Sequence, residues 1–197
     1  MAVPAEDDGL LPTERDYLPK AAPKEKRALR VSADVLPANH LYPVTFAEVR
    51  ETLANLPPEH AAVVQLVHLT NRKTELADGD WGWGEIRLHC ILEAVTNESG
   101  ATATGRRAHG KQMSDQDVVR FGGRLAWDAG KLYAVWDIAA YKTFVLKRVL
   151  IHEIAHGVAE LPGYAAQVKS AGSVEKFCEQ YAESFYRPAG KSVRLGF

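Results

Sequence analysis

The chain has few cysteines, no long apolar run and almost no net charge. Its two cysteines, Cys90 and Cys178, cannot build the dense disulfide framework of a small secreted scaffold, and we interpret both as buried free thiols. No run of 18 apolar residues occurs, which argues against a transmembrane helix. The first residues lack the basic and then apolar order of a secretory signal peptide. Together these absences predict a cytoplasmic protein.

The charge balance predicts neither a nucleic-acid nor a membrane partner. The 24 Lys and Arg residues are matched by 25 Asp and Glu residues, so that the net charge is −1 and no overall field attracts a polyanion. A hydrophobic content of 46% in 197 residues supports a packed core. Residues 1–28 are rich in proline, alanine and charges of both signs. We interpret them as a flexible arm ahead of one domain over residues 29–197.

The strongest local signal is the HExxH element His152-Glu153-Ile154-Ala155-His156. No proline or glycine interrupts the amphipathic run from Tyr141 to His156, so the element is predicted to lie on a helix. Residues four apart on a helix share one face, and both imidazoles can therefore reach one metal ion. Zn²⁺ accepts two histidines and often keeps a position for water, from which Glu153 could take a proton as general base.

This element predicts a zinc-dependent peptidase that hydrolyses peptide bonds in a peptide or protein substrate. An alternative of another class is a zincin-like module that binds the metal for interaction or regulation and has no independent proteolytic activity. The carboxylate of Glu153 favours the enzyme, because only the chemistry requires it. A coincidental HExxH on a packed helix is the simplest alternative.

A second predicted helix supplies candidates for a third metal ligand. It follows Ser173, a favourable N-cap, and carries Glu175, Glu179 and Glu183 four residues apart on nearly one face. We select Glu179, in the middle of the helix, as the ligand. Glu183 is the alternative ligand, or it accepts a hydrogen bond from the second nitrogen of a ligand histidine. Glu175 is interpreted as a solvated surface carboxylate.

The HExxH element followed by the phrase Glu179-x-x-Ala182-Glu183 resembles the glutamate zincins, or gluzincins. The short chain and the late position of the motif are also similar to the ImmA/IrrE-type metallopeptidases. The segment Trp83–Cys90 resembles a strand of the SprT-like proteases. The resemblance implies a zinc peptidase with His152, His156 and Glu179 as ligands and Glu153 as general base. A metzincin is disfavoured, because no histidine follows His156.

An oxyanion-stabilising side chain is expected beside the metal. Four candidates follow the motif: Tyr164, Tyr181, Tyr186 and Arg187.

The predicted fold is α+β and zincin-like, with a small mixed or antiparallel sheet packed on the HExxH helix and a C-terminal helix that carries the glutamates. Strands are predicted at 29–36, 61–69 and 84–95, a capped helix at 45–53 and a hairpin at 121–138. Residues 71–82 and 96–116 are predicted loops. A substrate is expected to pair with the 84–95 or the 131–138 strand.

Overall fold

A computed structural model describes residues 28–71, 78–96, 102–109 and 114–186. The predicted arm lies outside the described residues except for Ala28, so the boundary at residue 28 stays a prediction. The α+β class is confirmed, because the described chain combines two small sheets with several helices.

The first sheet has four strands in the order β1-β3-β5-β4. Strands β1, β3 and β5 are parallel, and β4 runs antiparallel to β5 at one edge. Their bounds are Arg30–Ala33 (β1), Leu66–Leu69 (β3), Gly79–Gly82 (β4) and Glu85–Leu88 (β5). Alternate residues point to opposite faces of a strand, and on one face Val67, Leu69, Ile86 and Leu88 are buried in the core.

The second sheet is antiparallel throughout, with five strands in the order β2-β6-β7-β9-β8. Its strands are His40–Leu41 (β2), Leu92–Thr96 (β6), Thr102–Ala108 (β7), Arg124–Asp128 (β8) and Lys131–Asp137 (β9). The predicted hairpin is confirmed as β8 and β9. Ala129 and Gly130 form its turn, with φ values of 46° and 76°.

The helices cover the sheets and carry the HExxH element. They are Phe46–Ala54 (α1), Pro58–Ala61 (α2), Asp115–Arg120 (α3), Ile138–Phe144 (α4), Ile151–Ala159 (α5), Ala165–Ala171 (α6) and Val174–Tyr186 (α7). The predicted capping box at the start of α1 is present: Thr45 accepts from the backbone of Glu48, whose carboxylate accepts from the backbone of Thr45. Helices α4 and α5 are joined by the π-helical segment Val145–Leu150, and a 3-10 turn, Pro162–Tyr164, follows α5.

The core lies where α5 packs between the first sheet and α7. Ile154 and Val158 of α5 are fully buried together with Cys178 of α7. Both cysteines are buried and free, as predicted. Among the described residues, no helix is both long enough and apolar enough to cross a bilayer.

Three predicted segments differ in the structure. Strand β4 lies inside the predicted loop 71–82, and strand β7 lies inside the predicted loop 96–116. The predicted strand 84–95 is two strands, β5 and β6, in different sheets. The sequence conceals β4 and β7 because neither has the alternating large apolar residues of a half-buried strand. In β7, position 105 is a glycine because Leu92 of β6 packs closely against it: a Cβ at this position would lie 2.7 Å from the Leu92 side chain.

Candidate metal centre

The HExxH element lies on α5 with both histidines on one face. The ring centroids of His152 and His156 are 5.2 Å apart, and their side chains are 13% and 20% exposed. Burial, with the positive charge of Arg148 as the next cause, lowers the pKa of His152 to about 4. Burial also lowers the pKa of His156. Both rings are therefore neutral at pH 7, the form in which imidazole binds a metal.

Glu175, in the first turn of α7, faces both imidazoles. Its Oε2 lies 3.4 Å from Nε2 of His152, and its Oε1 lies 3.5 Å from Nε2 of His156. One ligand atom from each of the three residues falls within 4.8 Å of the others. Tetrahedral zinc with bonds of about 2.0–2.1 Å places neighbouring ligand atoms about 3.4 Å apart. The two distances from Glu175 are close to this value, and the three residues could together hold a metal ion.

Glu179, the ligand selected from the sequence, lies on the other side of the His152 ring. Its Oε1 is 3.6 Å from Nδ1 of His152, while its Oε2 accepts a hydrogen bond from Arg148. The structure thus brings Glu175, and not Glu179, to the side that the two Nε2 atoms share. The assignment of Glu179 as a ligand stays a prediction, which the geometry disfavours. The one-turn spacing that predicted Glu179 as ligand and Glu183 as the carboxylate beside a histidine holds equally for Glu175 and Glu179, so spacing alone could not choose between the two pairs.

Glu183 does not line the cleft around the histidines. Its Oε1 lies 3.9 Å from Nη1 of Arg120, on α3. The two roles predicted for Glu183 are therefore not supported by its position.

None of the three tyrosines predicted as oxyanion partners lines the cleft. Tyr164 and Tyr181 share the ring of His60, with contacts of 2.5 Å to Nε2 and 2.6 Å to Nδ1. Tyr186 packs edge-on against Phe121. These rings are held by neighbours in the core, and Arg187, the fourth candidate, lies outside the described residues.

Glu153 is buried between α5 and the edge strand β4. Its Cγ would lie 2.8 Å from a Cβ built on Gly79, so the carboxylate lies directly against that strand. Burial raises the pKa of Glu153 to about 8, and the negative charges of Asp80 and Glu175 add to the shift. At pH 7 this carboxyl group is therefore largely protonated, and the positive charge of a metal ion held by the two histidines would lower its pKa and favour the carboxylate that a general base requires.

The residues around the histidines form a cleft of about 490 Å³. Its walls come from six parts of the fold: β4 with the residue before it, α3, the end of α4, the π-helical segment, α5 and the first half of α7. They are Asp78, Gly79, Asp80, Trp81, Asp117, Phe144, Arg148, Val149, His152, Glu153, His156, Glu175 and Glu179.

Arg148 is a cleft residue that the sequence did not indicate. It lies within the π-helical segment, four residues before His152, and its side chain is 14% exposed. Its guanidinium bonds Glu179 and lies 3.2 Å from Nδ1 of His152 and 3.6 Å from Asp117. π-Helical turns inside α-helices often occur at functional sites. Its contact with His152 has the spacing of neighbours on one helix face, whereas its contacts with Glu179 and Asp117 join elements distant in the sequence and follow from no local pattern.

Strand β4 is the second feature of the cleft that the sequence concealed. The backbone C=O of Asp78 accepts a hydrogen bond from the backbone N–H of His89. The backbone hydrogen bonds from this strand to β5 are therefore made by every second residue, at positions 78, 80 and 82. In an antiparallel ladder the residues between them direct N–H and C=O outward. Trp81 therefore presents its backbone N–H and C=O at an edge where no described strand pairs, while Gly79 is buried.

No protein-family model matches the chain, and no curated protein or solved structure is significantly similar to it.

Proposed function

We propose that the protein is a cytoplasmic zinc-dependent peptidase with a zincin-like arrangement of its active site. The observation that carries the proposal is the convergence of two imidazole Nε2 atoms and the Glu175 carboxylate, with the carboxyl group of Glu153 beside them. A HExxH helix, a carboxylate ligand from a later helix and an antiparallel edge strand along the cleft are the parts that the resemblance to gluzincins implies. The helix and the edge strand have counterparts in this chain, whereas the carboxylate that faces both histidines is Glu175 and not Glu179, the ligand that the resemblance implies.

The donor set fits zinc. Two neutral imidazoles and one carboxylate are a common protein ligand set for catalytic zinc, which keeps a further position for water. His152, His156 and Glu175 would hold the ion. Arg148 lies 3.2 Å from Nδ1 of His152 and bonds Glu179, so Arg148 and Glu179 together would fix the orientation of the His152 ring.

Bound zinc in such a site lowers the pKa of a water and polarises the substrate carbonyl. Glu153 takes the proton from the attacking water and later returns it to the leaving amine. Its position against Gly79 keeps the carboxyl group out of bulk solvent and aimed into the cleft. Arg148 also lines the cleft. Because its guanidinium is paired with Glu179 and Asp117, we assign it a positioning role and not the stabilisation of an oxyanion.

A peptide would bind along β4. The outward N–H and C=O groups of Trp81 can pair with an extended backbone, which is the mode of β-augmentation. Gly79, two residues earlier in the same strand, lies against Glu153, so a peptide that follows β4 passes close to the proposed general base. Strand β4 therefore takes the role for which the sequence suggested the 84–95 or the 131–138 strand.

The experiment that tests this function compares wild type with Glu153→Gln for cleavage of a reduced, carboxymethylated protein substrate. We expect wild type to cut the unfolded chain and Glu153→Gln to lose at least about 100-fold in rate, because the general base is removed. Zinc content is measured in both, since the substitution leaves all three ligands in place. Cleavage that survives in Glu153→Gln would contradict the mechanism. Full zinc content without cleavage by wild type would favour the metal-binding module instead.

A further inference from the structure

Trp83 occupies a position that is unfavourable for tryptophan. It lies with Gly84 in the two-residue turn between β4 and β5, where Gly82 pairs with Glu85. Its φ is +58° and that of Gly84 is +83°, so both residues have the left-handed conformation of a type I′ turn. Asparagine and glycine suit the first position of such a turn, whereas a bulky side chain there is strained.

The side chain of Trp83 is also exposed to solvent over 63% of its surface. Packing in the core therefore does not explain the strain. Strained backbone of this kind persists where the surrounding structure maintains it, and it clusters at ligand-binding positions.

Trp83 follows the strand that forms one wall of the cleft. Gly79 lies against Glu153, and the ring of Trp81 packs on Gly157, one helical turn further along α5. Strand β4 thus runs alongside α5. Gly79 and Trp81 are alternate residues of this strand, and Trp83 is the next position in the series. Four residues of strand place it about 13 Å beyond Gly79. Helix α5 ends at Ala159, soon after the contact with Trp81.

We propose that Trp83 is a substrate-binding residue, which contacts a large apolar side chain of the peptide about four residues from the bond that is cut. This inference rests on the proposed peptidase function and on pairing of the peptide with β4. A peptide that follows β4 and pairs with Trp81 reaches Trp83 at the hairpin tip only if it continues that far. The indole would therefore make the protein select extended chains over short peptides.

A second exposed tryptophan provides a matched control. Trp127 is 74% exposed near the tip of the β8–β9 hairpin, which also turns through two residues with positive φ. There the central positions hold Ala129 and Gly130, and Trp127 belongs to β8 of the second sheet. Because Trp127 does not adjoin the strand that borders the cleft, its loss should leave peptide binding unchanged.

The experiment uses the zinc-loaded Glu153→Gln protein, which binds a peptide without cutting it. The probes are a dye-labelled reduced, carboxymethylated α-lactalbumin chain and a dye-labelled mixture of randomised tripeptides, both followed by fluorescence anisotropy. We expect Trp83→Asn to weaken binding of the long chain about fivefold to tenfold and to leave tripeptide binding unchanged. Trp127→Thr should change neither. Because asparagine suits the turn, Trp83→Asn should have an equal or higher melting temperature.

Each other outcome overturns the inference in a distinguishable way. Unchanged long-chain binding by Trp83→Asn contradicts the role of Trp83 and leaves the peptidase function intact. A lower melting temperature together with weaker binding of both probes indicates a structural role for Trp83. Absence of binding by the parent protein contradicts the proposed function, and the inference fails with it.

Discussion

At the scale of single residues, the cleft depends on the absence of a side chain at Gly79. A Cβ on this glycine would lie 2.8 Å from Cγ and 2.9 Å from Oε1 of Glu153, closer than real contacts allow. The glycine therefore sets how closely the edge strand approaches the proposed general base. Its φ is not in the left-handed region, so the requirement is one of space.

Gly79→Ala is expected to lower kcat/KM about 10- to 100-fold, because the carboxyl group is displaced from its working position. Zinc content should stay near that of wild type, since no ligand changes. Gly82→Ala is the control in the same strand, because an added Cβ there meets nothing within 4 Å. Steady-state kinetics on the unfolded protein substrate check both variants. Equal losses in the two would show that the close contact is irrelevant.

The central residues of the site could be predicted from the sequence, and the third ligand could not. His152, Glu153 and His156 carry a local spacing that specifies their common face on a helix. Choosing among Glu175, Glu179 and Glu183 requires the approach of α7 to α5, which is a tertiary property. The structure places the first of these carboxylates, and not the middle one, beside the two Nε2 atoms.

At the scale of elements, strand β4 and helix α5 are fitted to each other through Gly157. A Cβ at this position would lie 2.6 Å from the indole ring of Trp81 and 2.8 Å from Cγ2 of Val63. The glycine after the second histidine thus allows the edge strand to pack on the helix.

We expect Gly157→Ala to destabilise the protein by about 1–3 kcal/mol because the strand must move away from the helix. A loss of stability would be informative, because the change from glycine to alanine in a helix interior by itself stabilises a protein by about 0.5–1 kcal/mol. Gly163→Ala, where an added Cβ meets nothing within 4 Å, should stay within about 0.5 kcal/mol of wild type. Urea unfolding measures both. A stabilised Gly157→Ala would mean that Trp81 does not pack there.

Elements with strong local signals were predicted, and elements defined by their neighbours were not. The capping box of α1 and the β8–β9 hairpin are specified by nearby residues. Strand β4, with the sequence Gly-Asp-Trp-Gly, has no alternating apolar pattern and exists through its pairing with β5. The π-helical segment before α5 follows from no pattern of spacing that we recognised.

At the scale of the whole molecule, an ion pair links the N-terminal helical region to the helix that leads into the site. Glu48 of α1 accepts a hydrogen bond of 2.6 Å from Lys142 of α4. This bond is the largest cause that holds the pKa of Glu48 below its ordinary value of 4.5, and the capping contacts with Thr45 add to it. A carboxyl group with a depressed pKa in the folded state stabilises the protein when ionised.

The stability that Glu48 contributes should be present above pH 4.5 and should be lost as the pH falls through its depressed pKa in the folded state. Glu48→Gln is therefore expected to cost about 1 kcal/mol at pH 7 and progressively less below about pH 4. Glu51→Gln, an exposed carboxylate of the same helix, is the control. Denaturant unfolding across pH 3–7 measures the difference. A cost that does not change with pH would contradict the assignment.

The measurement that tests the account most directly is the zinc content of protein purified without added metal, for wild type and for Glu175→Gln, Glu179→Gln and Glu183→Gln. We predict about one zinc per chain in wild type, loss in Glu175→Gln, reduced affinity in Glu179→Gln by about 10- to 100-fold, and no change in Glu183→Gln. Loss confined to Glu179→Gln would restore the ligand that the sequence suggested. A wild-type chain that binds no zinc, even after reconstitution, would contradict the metal centre and the peptidase built on it.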